Sequence, residues 1–507
     1  MSRLVVTKSS HSKAMTKRRI IFGRLVIWIA AGAVIGAGMM RYLEAPSFWL
    51  DEAWIAVSLR NPSLEVIFAP LEKGMYFPRI YLACIAALRT ILGYQIWVLR
   101  LLPFLSFVVG TTFWALLLAK RSGSLLLPGL LGGALLIGSS FWLEQAIQLK
   151  QYSFDVMFAL IPFLISDAFF KDALIDGRRK MSLTALTLPV FLSYTFPIAL
   201  GARVLGWYLY YGRRGWRLHL PGVCALIAPI AVGLVSIWFT DYRHNVKHHL
   251  AYLKYWHACI LRSRIQEGIG SGLRLIADYV WGWHHGRLLP LVVAAIAPLQ
   301  ALGLYHAFNR WKTYKVESGN DSWGSRTVGS LILLSGVVLA SILVSYPICA
   351  GRLTLFTQVH TQILAIEGIL FVLGVWNKRK GALILLAISI GIVTVYSAHR
   401  YIRLVQEEPT ENLRPMLSLI KPEVANTLWV HPCSIAQVRS LPEPLPVNQV
   451  LLNTRRQLPP TGEKTWILWT HMSDGDCRER LDEVRSQARS WQLIHEGPGR
   501  GLALAEF

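Results

Sequence analysis

The chain has 507 residues, of which 53% are hydrophobic and only 16% charged, and its mean hydropathy is +0.42. A soluble chain of this length needs far more charge to solvate its surface, so composition excludes an ordinary soluble globule. The formal net charge of +23 invites a nucleic-acid reading, but its distribution along the chain assigns most of the excess to membrane topology instead.

Taken in chain order, apolar runs near 20–42, 98–119, 124–141, 153–170, 182–199, 200–212, 219–240, 288–308, 327–347, 353–375 and 381–398 predict about eleven transmembrane helices. A span needs about 20 residues of helix. The first run is too long for a signal peptide and lacks a small-x-small cleavage site, so it is expected to stay as an anchor. Orientation follows from Lys and Arg. An inside N-terminus makes 1–19, 120–123, 171–181, 213–218, 309–326 and 378–380 cytoplasmic, and these hold 22 of the 52 basic residues. Residues 78–92 are apolar enough to suggest a further span, but counting it would invert every later loop. They are therefore predicted to lie against the membrane as an interfacial helix within an outer loop, 43–97. Nineteen Trp and eighteen Tyr suit two interfacial belts.

The expected organisation is a basic cytoplasmic N-terminus (1–19), a transmembrane domain (20–400) with outer loops 43–97 and 241–287, and a small extracytoplasmic α/β domain (404–507). In that tail short apolar runs (Thr427–Val430, Gln449–Leu452, Thr465–Thr470) alternate with helix-like stretches (Asn412–Ile420, Arg478–Trp491). The fold class is thus an α-helical polytopic membrane protein with a small C-terminal α/β domain. Six cysteines show no metal spacing. Cys84, Cys224, Cys259 and Cys349 read as free thiols in or beside apolar segments. Cys433 and Cys477 both fall in the outer tail, where a disulfide is one of two even alternatives.

This topology gathers polar residues on one membrane face. Asp51, Glu52, Glu72, Lys73 and Arg79 lie in the first outer loop and Arg100 at the outer end of the second span. Glu144, Lys150, Gln151, Tyr152 and Asp155 surround the next outer turn, and Tyr346 and Arg352 border a late one. Ionisable groups at membrane depth are costly and usually functional. Acids beside fixed cations suit a reaction that deprotonates a nucleophile and releases a phosphate. Singly, each has a plainer reading: an Arg at a helix end is a snorkelling anchor, and Asp-Glu can simply cap a helix. Six histidines in 241–287 (His244, His248, His249, His257, His284 and His285) invite a metal, with His244 and His248 at helical spacing. No Glu occupies the metalloprotease position, and surface histidines are the commoner explanation.

Five sequence elements occur in a fixed order. They are Trp49-Leu50-Asp51-Glu52-Ala53; Glu72-Lys73 followed by Pro78 and Tyr81; Gly93 with Leu99-Arg100-Leu101-Leu102-Pro103; Glu144 to Tyr152; and Tyr346-Pro347 with Gly351-Arg352-Leu353. In this order they resemble motifs of the C-type (GT-C) membrane glycosyltransferases. The bacterial branch related to protein O-mannosyltransferases and lipid A aminoarabinose transferases is the most similar. Gly74 stands where that family has a proline, and Lys150 where arginine is commoner. The resemblance implies a polyprenyl-phosphate-linked sugar donor, a lipid, glycan or protein acceptor and inverting transfer at the outer face of a bacterial inner membrane. Asp51 becomes the candidate general base with Glu52 in support. Glu72, Lys73, Arg100, Lys150, Tyr152 and Arg352 become candidates for holding donor and phosphate. No cofactor is required by it, and a divalent metal ion is left open. The competing classes are a flippase or transporter for a lipid-linked sugar, which predicts charges inside spans of paired halves, and a non-catalytic membrane assembly subunit.

Overall fold

A computed structural model describes the chain apart from residues 1–9, 70, 72–76, 124, 212–217, 244–255, 282–288, 314–321, 344, 349–351, 377–379, 407–411, 453–461, 471–474 and 498–499. The expected residues Glu72, Lys73, His244, His248, His249, His284, His285 and Cys349 therefore lie outside the described part.

The first half is helical: α1 (Ser10–Glu44), α2 (Leu50–Ser58), α3 (Leu64–Phe68), α4 (Arg79–Leu92), α5 (Ile96–Ser122), α6 (Leu126–Ile137), α7 (Ser140–Glu144), α8 (Tyr152–Leu164), α9 (Asp167–Leu174), α10 (Lys180–Thr187), α11 (Phe196–Tyr211) and α12 (Leu220–Ile237). There follow α13 (Leu261–Glu267), α14 (Ile269–Trp281), α15 (Leu289–Thr313), α16 (Ser322–Leu343), α17 (Gln358–Trp376) and α18 (Lys380–Gln406). Among the described residues seven helices are long and apolar enough to cross a membrane: within α1, α5, α12, α15, α16, α17 and α18. Two bent pairs, α6 with Phe141–Ile147 at 46° and α8 with α9 at 80°, are apolar enough together to form a broken span or a re-entrant loop. Beside the expected count of about eleven, the described residues hold seven such helices, or nine if each bent pair is one span. The predicted 182–199 span is instead α10 running into a 3-10 turn, Leu188–Phe191, where Pro189 lacks the N–H that would continue the helix. The predicted 200–212 span is the 16-residue α11. Residues 79–92 form an amphipathic 14-residue helix, α4, which buries Tyr81, Leu82, Ile85 and Ala86 and is not among the crossing helices.

Packing in the bundle relies on small residues and internally paired charges, since lipid offers no hydrophobic drive between helices. A methyl group on Gly206 of α11 would meet the Gly329 backbone of α16 at 2.4 Å, and one on Gly368 of α17 the Leu299 carbonyl of α15 at 1.8 Å. Asp167 at the start of α9 receives Arg203, Ser325 and, at 2.8 Å, the Tyr211 hydroxyl, tying α9, α11 and α16 together. Glu367 of α17 receives both guanidinium arms of Arg121 from α5 and the Thr327 hydroxyl, with His306 of α15 at 3.3 Å. Arg100 and Arg121 stand 21 residues apart on α5, roughly 30 Å along a helix, so they mark opposite ends of the bundle.

The C-terminal unit contains α19 (Arg414–Leu417), α20 (Ile435–Arg439), α21 (Gly475–Gln487) and a five-stranded sheet of order β2-β1-β3-β5-β4. β1 (Thr427–Val430) pairs in parallel with β2 (Gln449–Leu452) and β3 (Lys464–Trp469), with Trp429 opposite Leu451 and Ile467. β5 (Arg500–Glu506) adds antiparallel to β3, and β4 (Ser490–Gly497) to β5. The predicted helix Arg478–Trp491 is corrected: α21 ends at Gln487, and Trp491 belongs to β4, whose residues 490 and 491 pair with Glu506 and Ala505. Cys433 and Cys477 form a disulfide with Cα atoms 6.3 Å apart, inside the usual range. Cys84 and Cys224 are free thiols, whereas Cys259 is disulfide-bonded, which corrects the free-thiol expectation. Cys259 ends the 3-10 turn His257–Cys259, and its carbonyl accepts the N–H of the buried Ile348 at 2.8 Å.

His431, directly after β1, is buried and its Nδ1 accepts the Cys433 N–H at 3.2 Å. Burial, and secondarily the Arg480 charge, lower its pKa to about 4. The folded domain therefore stays unprotonated there while the unfolded chain takes up a proton below about pH 6.5. Stability contributed by neutral His431 is complete above that value and falls as pH drops towards 4, by up to about 1.4 kcal/mol per pH unit. The urea midpoint of the sheet, followed by pulsed hydrogen exchange in the full chain, is expected to fall between pH 7 and pH 4.5, and His431→Gln is expected to flatten that dependence.

Candidate active site

α1 leads into α2 through a five-residue strap, Ala45–Trp49. Ala45 has φ +42, in the left-handed region where a side chain is uncommon, and Pro46 follows it. The strap delivers two acids into the first turn of α2, where carboxylates complement the helix dipole. Glu52, at the third helical position, accepts the Trp49 N–H at 3.0 Å, closing the N-terminus on itself.

The adjacent acids have opposite environments. Glu52 is 1% exposed. Its Oε2 takes Arg100 Nη2 at 2.8 Å and its Oε1 takes Arg100 Nε at 3.2 Å, a two-pronged pair across 48 residues. Its Oε1 also accepts the Leu149 N–H from the loop before α8. Arg100, itself 2% exposed, donates from Nη1 to the Pro46 carbonyl at 2.6 Å and from Nη2, shared with Glu52, to the Ser47 carbonyl at 3.3 Å, and lies over the Phe48 ring. One buried ion pair thus joins the strap, α2, the start of α5 and the 145–151 loop. Asp51 keeps a side chain that is 30% exposed, with Lys150 Nζ 3.8 Å away.

The buried Arg100, expected to help hold a phosphate, directs its donors to Glu52 and the strap carbonyls. Glu52, expected as alternate base or as hydrogen-bond support for Asp51, has four N–H donors converging on its two oxygens, the arrangement of a support.

Lys150 is seated by its backbone as well as its charge. Tyr81 of α4 donates to the Lys150 carbonyl at 3.2 Å. Burial foremost, and the negative charge of Asp155, push the Tyr81 phenol well above its usual range, so it remains a donor. Tyr152 is the buried first residue of α8. One turn on, Asp155 is also buried; its Oδ1 accepts the Ser193 hydroxyl at 2.5 Å, and its backbone carbonyl accepts the Thr195 hydroxyl at 3.3 Å. Arg79 is buried and donates to the carbonyls of Ile67 at 3.1 Å and Thr240 at 3.2 Å, holding α4 in place. Arg352 opens a 3-10 turn, Arg352–Thr357, next to α17, with its side chain outside the described part. Among the described residues no three His, Cys, Asp or Glu side chains come together as a metal would require. Sequence reasoning missed the Leu149 N–H, the Tyr81–Lys150 bond and the Ser193–Asp155 bond, all of them long-range contacts without a local signature.

No protein-family model and no curated protein matches the chain. Among solved structures it is similar to ArnT from Cupriavidus metallidurans bound to undecaprenyl phosphate, with 12% identity, TM-score 0.46 and 98% of each chain covered. It is also similar to the apo state of ArnT, with 13% identity, TM-score 0.38, and 95% of this chain and 97% of that one covered.

Removing one partner of a buried ion pair leaves an uncompensated charge and costs about 3–5 kcal/mol. Arg100→Met is therefore expected to lower thermal stability in detergent sharply, and Arg100→Lys to restore little, because an ammonium cannot span both Glu52 oxygens. Asp51→Asn is expected to melt within about 1 kcal/mol of wild type. Scanning fluorimetry of the three variants checks the contrast.

Proposed function

We propose that this protein is a membrane glycosyltransferase that moves a sugar from a polyprenyl-phosphate-linked donor to an acceptor hydroxyl. Asp51 is its general base. The observation that carries the reading is the contrast between the two acids: a buried, fully bonded Glu52 fixes the helix turn, and the neighbouring carboxylate is left accessible with a buried lysine beside it. The motif order from Trp49 to Leu353 supports the same chemistry by resemblance.

In this reading the acceptor hydroxyl gives its proton to Asp51 as its oxygen attacks the anomeric carbon. The bond from that carbon to the phosphate oxygen breaks on the opposite face, so configuration inverts and the polyprenyl phosphate leaves with the electron pair. The donor is a phosphate diester and the departing polyprenyl phosphate a monoester, which needs neighbouring positive charge more than a strong acid. Lys150 is assigned to that role with Lys73 and Arg352, and Glu72 and Tyr152 to orienting the donor. The proposed orientation puts the N-terminus in the cytoplasm, and the site and the C-terminal domain on the extracytoplasmic side of a bacterial inner membrane.

The test is transfer from labelled polyprenyl-phosphate sugars by the purified chain in proteoliposomes. General-base catalysis contributes on the order of 10²–10⁴-fold. Asp51→Asn is expected to lose at least that lower figure in kcat, and Lys150→Ala to weaken turnover of the same donor. Wild-type turnover by Asp51→Asn would remove the proposed base.

A further inference from the structure

The strap that presents Asp51 is held from two sides. Arg100 holds it from the bundle. On the other side the C-terminal domain grips the same strap at Ser47 and Ala45: the Ser47 N–H donates to Asn412 Oδ1 at 3.0 Å, and the Ser47 hydroxyl accepts the Leu413 N–H at 2.7 Å. Arg414 Nη1 donates to the Ala45 carbonyl at 2.8 Å, at the residue with left-handed backbone. The grip is anchored to the sheet, because Arg500, the first residue of β5, donates to the Asn412 carbonyl at 2.8 Å.

The far end of α2 is seated on the same domain. Ala436 of α20 belongs to the apolar cluster of Ala53, Ala56 and Leu59. The Tyr94 hydroxyl lies 3.1 Å from the Ala56 carbonyl and 3.0 Å from that of Ser440, and Arg60 donates to the Arg439 carbonyl at 2.7 Å. A strained residue persists only where its surroundings over-determine it, and here the carbonyl of the strained residue is a hydrogen-bond acceptor for the second domain.

We propose that Asn412, Leu413 and Arg414 are positioning residues for the active-site acid, so that the C-terminal domain forms part of the catalytic apparatus by clamping the Ala45–Trp49 strap. The clamp touches neither donor nor acceptor; it acts through Ser47 and Ala45 on where α2 begins. The role rests on the proposed transferase reading, but the clamp itself has a readout that does not require activity.

The experiment uses the full chain in proteoliposomes, with Asn412→Leu, which removes the acceptor of the Ser47 N–H, and Asn412→Asp, which keeps an acceptor oxygen there. Hydrogen exchange across residues 45–52 is expected to quicken by about tenfold in Asn412→Leu, while β3 and β5 exchange as in wild type and so report an intact domain. In the transfer assay kcat is expected to fall by about tenfold or more with KM for the donor within about twofold, since misplacement of a catalytic group acts on turnover. Asn412→Asp is expected to recover most of both losses. Unchanged exchange in the strap of Asn412→Leu overturns the clamp. Faster exchange with unchanged kcat overturns its positioning role. If the wild-type chain transfers from no polyprenyl-phosphate donor, the transferase reading fails, and exchange alone then decides the clamp.

Discussion

The Glu52–Arg100 pair is the constraint on which the rest of the site depends. Taking a carboxylate and a guanidinium out of water is expensive, and mutual attraction offsets that only when the geometry is good and the remaining hydrogen-bonding capacity is used. Here the guanidinium serves the carboxylate with two nitrogens and the strap with its other contacts, and two backbone N–H groups complete the carboxylate. Three stretches far apart in sequence, the strap with the start of α2, the start of α5 and the loop before α8, meet at one buried charge. The neighbouring acid, Asp51, is thereby set at a fixed place on the first turn of α2, partly exposed and with Lys150 Nζ 3.8 Å away.

The bundle repeats the same solution away from the site. Asp167 with Arg203, Ser325 and Tyr211, and Glu367 with Arg121, Thr327 and His306, keep their charges inside the protein, where lipid offers no hydration. α5 carries an arginine of this kind at each end, so one helix locks the site end and the opposite end together. The second domain extends the arrangement by holding the strap from the side that the bundle leaves open.

Legibility in the sequence followed the range of the interactions. The long apolar runs of α1, α5, α12 and α15–α18 are local signals and were readable, and so were β1 and β2, whose limits coincide with the predicted apolar runs. Residues 182–212 misled because hydropathy averages over Pro189 and does not register the break that the missing N–H makes. The first two residues of β4 read as helix because Arg478–Trp491 is polar with seven charged residues, although the Gly497-Pro498-Gly499 turn signal marks a strand boundary before β5. Within the site, topology gathers Asp51 and Lys150 on one face, but the 3.8 Å pairing between them is a feature of the fold alone. So is the division of labour between Asp51 and Glu52. It is set by Arg100 and Leu149, 48 and 97 residues away, and by which of two adjacent side chains the helix turns inward.

That division is most directly tested by the single-turnover rate of sugar transfer per folded molecule in Asp51→Asn and in Glu52→Gln, each measured beside its own melting curve. The account predicts that Asp51→Asn melts like wild type and transfers at a small fraction of its rate. It predicts that Glu52→Gln melts far earlier and, in the fraction that remains folded, keeps more activity than Asp51→Asn. A stable Glu52→Gln that is inactive, alongside an Asp51→Asn that turns over normally, would contradict it.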